Sequence, residues 1–392
     1  MSVHVIGAGL AGLAAACTLT ERGRHVVLSE SAPAAGGRAR SYHDKSLGCR
    51  IDNGNHLLLS GNRAAMDFLA RIGAQHSLTG PARPIFPFIN LADGAPWCLR
   101  LNHGRIPWWI AVPSRRVPGT RLGDYRALLR LRLAGADARV APLLGACGPL
   151  YRNLLEPLAI AALNTMPEVA AAQPLQQVVA QSIGRGGFAA IPRFASIGLS
   201  ESFIDPALAW LQAHGAEIRL GHRVAEISDH QPTVLAVPPW AAAELVPGLV
   251  VPNQFESICN LHFKHTLPPG EAGFWGLIGG MAEWVFARPE IISVTISAAN
   301  RYAEIPAEDI AIRVWAELAR AFGLGAMPAH RVVWERRATL LATPEQLARR
   351  PQTRTANPNL VLAGDWTDTG LPATIEGAIR SGNKAALALA KS

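Results

Sequence analysis

Charge is sparse along this chain of 392 residues. Only 17% of its positions are Asp, Glu, Lys or Arg and 49% are apolar, a balance that excludes intrinsic disorder. Cysteine is sparse as well: Cys17, Cys49, Cys98, Cys147 and Cys259 are scattered, with no CxxC spacing. Neither a metal site nor a disulfide framework is indicated, and a reducing compartment is expected. No apolar run reaches the length of a spanning helix without a charge or proline, so a membrane-crossing segment is not expected. The first twenty residues are apolar and rich in alanine but lack a basic leader, which argues against a secretory signal. The net charge of +8 points to an acidic partner, yet the arginines are dispersed and no helix-turn-helix, ribonucleoprotein or zinc pattern accompanies them. Nucleic acid is therefore excluded as the expected partner. No internal repeat is present, and the length suggests two domains.

What the chain does have is glycine in a purposeful pattern. Residues 3–6 (VHVI) suit a buried parallel strand, and residues 10–19 continue as an alanine-rich helix. Gly7, Gly9 and Gly12 lie between and within them. The first permits the tight turn, the second lets backbone approach a pyrophosphate, and the third lets helix pack on strand. The helix start, with Leu10 and Ala11, presents free N–H groups and a partial positive charge to the diphosphate. Residues 25–28 form the next expected strand. Glu30 at its end stands 18 residues beyond Gly12, where a carboxylate takes ribose hydroxyls and disfavours a 2′-phosphate. The expected nucleotide is adenosine without that phosphate, as in NAD or FAD.

Three further segments decide between those two. Gly36, Gly37 and Arg38 follow Glu30 by six to eight residues, and a guanidinium fork neutralises phosphates in a way lysine cannot. Near the end, residues 360–363 read as a strand, followed by Gly364, Asp365 and a helical pattern over 373–390 that begins around Thr374 and Ile375. Residues 216–227, which include Val224, followed by 234–247 read by themselves only as a strand before a proline-bounded turn. Together these resemble the glutathione-reductase-like flavoproteins of the amine oxidase and phytoene desaturase superfamily. The resemblance implies FAD, with Gly37 and Arg38 along the diphosphate and ribityl chain and Val224 at the adenine. It further implies Gly364 and Asp365 at the ribityl region, and the amides of Thr374 and Ile375 at the flavin. The implied fold is α/β: a discontinuous FAD-binding Rossmann domain (1–75, 200–248 and 355–392) with an α+β substrate-binding domain (76–199 and 249–354). Within the latter, residues 122–180 read as helical with breaks at Pro157, Pro167 and Pro174, residues 291–296 as strand, and residues 307–322 as helix.

Finer strings resemble the hydroxysqualene dehydroxylases: DNGNHLLLSGN at 52–62, EPLAIAALNT at 156–165, AVPPWAA at 236–242 and AGDWTDTGLPATIEGAIRSG at 363–382. The first adds Gly54 and Asn55 to the flavin pocket, although the family pattern has glutamine where Asn55 stands. The resemblance implies removal of the 12-hydroxyl of hydroxysqualene, with hydride from reduced FAD, giving squalene, water and oxidised FAD. A general acid must help the hydroxyl leave, and the candidates are His56, Asp368 and Glu376. Two rival readings stay open: a carotenoid-type desaturase or flavin amine oxidase, and a prenyl-lipid binding module without flavin. Against amine oxidation, no cysteine follows Cys259 and only four tyrosines exist.

Residues 105–121 (RIPWWIAVPSRRVPGTR) interleave Trp108, Trp109, Ile110 and Val112 with Arg105, Arg115, Arg116 and Arg121, as suits the boundary between acyl chains and anionic headgroups. A cytoplasmic location is expected, with peripheral placement on the inner face of the cytoplasmic membrane as its extension. The sequence names no electron donor.

Overall fold

The strand Val3–Ile6 pairs in parallel with Val26–Ser29 on one side and with Thr233–Leu235 on the other. Glu217–Arg219 and Leu360–Leu362 complete a five-stranded sheet, every pairing parallel, in the order Glu217–Arg219, Val26–Ser29, Val3–Ile6, Thr233–Leu235, Leu360–Leu362. This computed structural model describes residues 2–389. The three inner strands are almost wholly buried, which is why they read as unbroken apolar runs. The first helix, Leu10–Glu21, is buried along nearly its whole length and carries no polar stripe. It lies between the sheet and the C-terminal helix, Ile375–Leu389. A Cβ on Gly382 would stand 2.1 Å from the Ala11 carbonyl oxygen, so these two helices meet backbone to backbone.

A second, seven-stranded sheet has the order His330–Leu340, Phe255–Phe263, Ile292–Ile296, Trp284–Ala287, Phe274–Ile278, Ile85–Asn90, Pro96–Arg100. Its strands pair antiparallel except Phe274–Ile278 with Ile85–Asn90. Period-2 alternation gives the strands two distinct faces. Cys259, Leu261, Phe263, Val285, Val294 and Ile296 pack with Ile310, Val314 and Leu318 of the helix Ala307–Phe322. The opposite face carries buried polar residues, Asn260, His262, Ser293 and Thr295, and continues into aromatic rings. The fold is thus α/β, a Rossmann-type parallel sheet beside an α+β partner.

Two expectations are corrected. The helical stretch over 122–180 is a series of short pieces, among them Ala127–Arg132, Val140–Leu144, Glu156–Leu163 and Ala172–Gln181, parted by irregular segments. Gly135 and Gly148 fall in its gaps, whereas Pro157 and Pro174, expected as breaks, stand in the first turns of the helices Glu156–Leu163 and Ala172–Gln181 and mark starts. The strand over 216–227 is confined to Glu217–Arg219, because Gly221 (φ +67°) turns the chain and the amides of Gly221 and His222 bond to Ala32 and Glu30. The C-terminal helix runs from Ile375 to Leu389; Ala390, its expected end, lies outside the described residues.

Candidate active site

The glycine turn is built by contacts that only hydrogen atoms permit. Gly7 sits at φ +103°, a conformation open chiefly to glycine, and a Cβ there would meet the Ala236 oxygen at 2.6 Å. On Gly12 a Cβ would fall 1.8 Å from the Gly7 oxygen, whereas on Gly9 it would meet nothing. The turn is therefore sealed on its protein side and open in front of Gly9, at the start of the first helix. The Glu30 carboxylate stands beside it, accepting hydrogen bonds at 2.8 Å from the amides of Ala8 and Ala32. His222 N donates to the Glu30 carbonyl, which brings Val224, half-buried against Ile6, Leu235 and Leu362, to the same end of the sheet.

Gly36 N donates to Ala8 O, and Gly37 comes to rest beside Gly9. Arg38 follows. Its Nη2 donates to Asp365 Oδ1 at 2.6 Å and its Nη1 to Ala338 O at 2.5 Å. Burial opposes the charge of Arg38, but Asp365, in contact, and Glu335 nearby more than offset it and hold the guanidinium pKa above its ordinary value. Asp365 is buried, yet 41% of the Arg38 side-chain surface stays accessible. The guanidinium thus joins a buried acid to an accessible surface.

Asp365 itself is held by an arginine that no sequence motif singles out. Buried Arg350 donates to the carbonyls of Asp365, Thr367 and Leu371 and to Thr369 Oγ1, fixing the loop between Gly364 and the C-terminal helix. Gly364 N donates to Ser381 Oγ, tying the loop start to that helix. At the helix start Thr374 Oγ1 accepts from Gly377 N, and Thr374 and Ile375 contribute amides of the first turn.

The loop 53–56 meets the second sheet. Asn260 Nδ2 donates to Asn53 O, Thr295 Oγ1 donates to Asn260 Oδ1, and Asn55 Nδ2 donates to Thr295 Oγ1. Gly54 packs against the Asn260 amide. Because Asn53 offers a carbonyl, the donor order of the whole chain is set, and Asn55 Oδ1 is left as a buried acceptor without a partner. Asn260 and Thr295 carry no motif that marks them in the sequence. Their signal was polar residues on one face of otherwise apolar strands, where alternation alone would suggest a solvated surface.

The three expected acids separate. His56, deep beside Asp52 and Arg38, is pushed down to about 4, chiefly by desolvation, with Arg38 adding to the shift and Asp52 opposing it. It is a neutral imidazole near pH 7. Asp368 is exposed and accepts a hydrogen bond from Gln352. Buried Glu376 accepts from the amides of Ala64 and Ala65 and from Arg380 Nε. Both its oxygens are engaged in capping the helix Arg63–Arg71, a structural task in place of proton donation.

In the 105–121 segment, Trp109 is 3% exposed and packs edge-on to Tyr125, while Trp108 is 49% exposed with Arg115 stacked over it at 4.7 Å. Arg116 is spent on the carbonyls of Ile110 and Ala111. Among the described residues no helix is long and apolar enough to cross a membrane.

Compared with known proteins, the chain is 44% identical to a hydroxysqualene dehydroxylase of Rhodopseudomonas palustris, the match covering 98% of this chain and 97% of the relative. A hydroxysqualene dehydroxylase of Zymomonas mobilis is 42% identical, with both chains fully covered. The chain belongs to this family. Residues 5–72 match the NAD(P)-binding Rossmann-like domain, and residues 160–390 match the flavin containing amine oxidoreductases. Among solved structures, the cyclohexylamine oxidase of Brevibacterium oxydans shares the fold with a TM-score of 0.75 at 18% identity, covering 100% of this chain and 98% of that one. Family and fold make the protein an FAD-dependent oxidoreductase. The open front of Gly9, the accessible face of Arg38 and the partnerless Asn55 Oδ1 all fit such a cofactor.

Proposed function

We propose that this enzyme removes the hydroxyl of hydroxysqualene reductively, releasing squalene and water. The observation that carries the reading is the single face of the second sheet. At one end its polar residues hold the loop 53–56 of the cofactor side, and at the other it carries a cluster of aromatic rings, Phe88 buried and Trp97 and Trp284 partly accessible, an apolar wall suited to a long isoprenoid. Its full-length relatives bear the matching name.

In this reading Gly7, Gly9, Leu10, Ala11 and Gly12 receive the diphosphate, Glu30 the adenosine ribose and Val224 the adenine. Gly37, Arg38, Gly364 and Asp365 hold the diphosphate-to-ribityl stretch. Gly54, Asn55, Thr374 and Ile375 border the flavin ring. Bound there in its reduced form, FAD supplies hydride. The protein's part is to orient the alcohol, exclude water and help its oxygen depart. Of the expected acids, His56 lies deep beside Arg38 and takes this part. As a neutral imidazole it donates a ring N–H to the leaving oxygen, polarising the C–O bond without carrying a net charge. Departure is favourable because the carbon is allylic and the incipient cation is delocalised.

The segment 105–121 extends into a broader patch. Ile106, Trp108, Leu122, Leu129 and Leu133 are exposed, with Leu133 84% accessible, and Arg105, Arg121, Arg126, Arg130 and Arg132, interleaved with them along the chain, are exposed too. We read it as a docking face for an anionic bilayer from which an apolar substrate is drawn. Reversing Arg130 and Arg132 to Glu should lower sedimentation with anionic vesicles and leave neutral vesicles unaffected; equal sedimentation would remove the membrane from the account. The reaction itself is tested by giving the reduced enzyme hydroxysqualene and phytoene in parallel and identifying products by mass spectrometry. Squalene from the first alone supports the reading, and desaturated products from the second overturn it.

A further inference from the structure

One rung crosses the second sheet from edge to edge. Strand register places Trp97 opposite Phe88, Phe88 opposite Gly276, Gly276 opposite Trp284, Trp284 opposite Thr295, Thr295 opposite Asn260, and Asn260 opposite Val333. Residues paired in this way project from the same face. The rung changes character between two neighbours. Thr295 and Asn260 belong to the polar chain that holds Asn55, whereas Trp284, Phe88 and Trp97 are aromatic. Gly276 makes the aromatic half possible. A Cβ there would stand 2.4 Å from Phe88 and 3.4 Å from the Trp284 ring, so the two rings close over the glycine. Trp97 lies flat on Phe88 at 4.5 Å, which occupies that π-face, while Trp284 meets Phe88 edge-on at 5.8 Å and Phe274 at a tilt at 6.2 Å, neither stacked on it, and is only partly buried.

We propose that the indole face of Trp284 stabilises the allylic carbocation formed when the C–O bond of the alcohol breaks. The assignment builds on the proposed dehydroxylation. In that step the C–O electron pair leaves with oxygen, which takes up one proton and departs as water; the two-electron reduced cofactor would account for that proton as well as the hydride, so that alcohol and FADH2 give hydrocarbon, water and FAD. The carbon left behind is discharged by the hydride equivalent already assigned to reduced FAD. A carboxylate near the cation would capture it or remove a proton to leave a diene; a π-face stabilises it and does neither. The carboxylate nearest in sequence, Glu283, is committed to Arg301 at 2.6 Å and to Ser297 N at 2.8 Å. Tryptophan offers the strongest π-face among the side chains, and Trp284 stands at the junction where the polar, cofactor-side half of the rung gives way to the apolar half.

The test replaces Trp284 alone by mono-, di- and trifluorinated tryptophan, which keeps shape while draining the π-face. Two probes are titrated into the flavin-loaded enzyme: a squalene analogue whose protonated amine nitrogen replaces the reacting carbon, and its neutral carbon isostere. Affinity for the ammonium probe should fall stepwise with fluorination, about thirtyfold over the series, with the neutral probe unchanged. Turnover of hydroxysqualene should decline in parallel. Flat affinities, or equal losses for both probes, would reduce Trp284 to a space-filling role and overturn the assignment. If the natural enzyme converts hydroxysqualene while the fluorinated series stays flat, the assignment fails and dehydroxylation stands. If the natural enzyme converts none, both fail.

Discussion

Arg38 and Asp365, 327 positions apart in sequence, meet at 2.6 Å. The pair joins the segment after the second strand to the loop before the last helix. Asp365 is buried and Arg38 is held by it, so removal of either leaves the other a charge without its partner. Arg38→Met and Asp365→Asn should each weaken FAD binding at least tenfold, which corresponds to about 1.4 kcal/mol. Fluorescence titration of flavin into apoprotein checks this, and full flavin retention in both variants would detach the pair from the cofactor.

Gly9 and Gly12 separate binding from folding. Because the space before Gly9 is open, Gly9→Val should fold with near-natural thermal stability but purify without yellow colour. Gly12→Val drives its Cβ into the Gly7 carbonyl and should lower stability by about 1–3 kcal/mol as well. Circular dichroism melts beside the 450 nm absorbance distinguish the two outcomes.

Much of this is legible in the sequence, for an identifiable reason. The glycine turn, Glu30, Arg38 and the 364–375 segment are local patterns whose geometry follows from backbone sterics and helix ends. The helix Ala307–Phe322 was likewise marked by its periodicity. What escaped was set by long-range placement. Arg350 serves four groups on a loop 15 to 21 residues away, a purpose invisible in its own neighbourhood. Glu376 looked like an acid facing flavin until the helix Arg63–Arg71 arrived at its carboxylate. The rung through Trp284, Thr295 and Asn260 depends on strand register, which one residue of slip would have inverted.

Glu376→Gln should therefore behave as a capping mutant. It keeps one acceptor for the Ala64 and Ala65 amides and loses charge against Arg380, so about 1–2 kcal/mol of stability is expected to go, with turnover per folded flavin-loaded enzyme nearly unchanged. Denaturant melts and active-site titration measure the two quantities. A large loss of turnover at full stability would return Glu376 to the list of proton donors.

His262 links stability to pH. Its pKa is lowered to about 4, mainly by desolvation with Arg288 contributing, and its Nδ1 contacts Ser293 Oγ at 2.9 Å. The unfolded chain binds a proton near pH 6.5 while the folded one does not, so this group's contribution is complete above pH 6.5 and is lost as pH falls toward 4. The loss amounts to about 3 kcal/mol. In His262→Gln, the difference from the natural protein should shrink as the pH is lowered across that window. Urea melts at pH 7 and pH 4.5 provide the comparison, and parallel curves for the two proteins would contradict the assignment.

The most direct measurement is a single-turnover titration. Enzyme with its FAD photoreduced under anaerobic conditions is mixed with hydroxysqualene, and the return of oxidised flavin absorbance is followed while squalene is quantified. The account predicts one squalene formed for each flavin reoxidised. Flavin that stays reduced, or reoxidation without squalene, would contradict it.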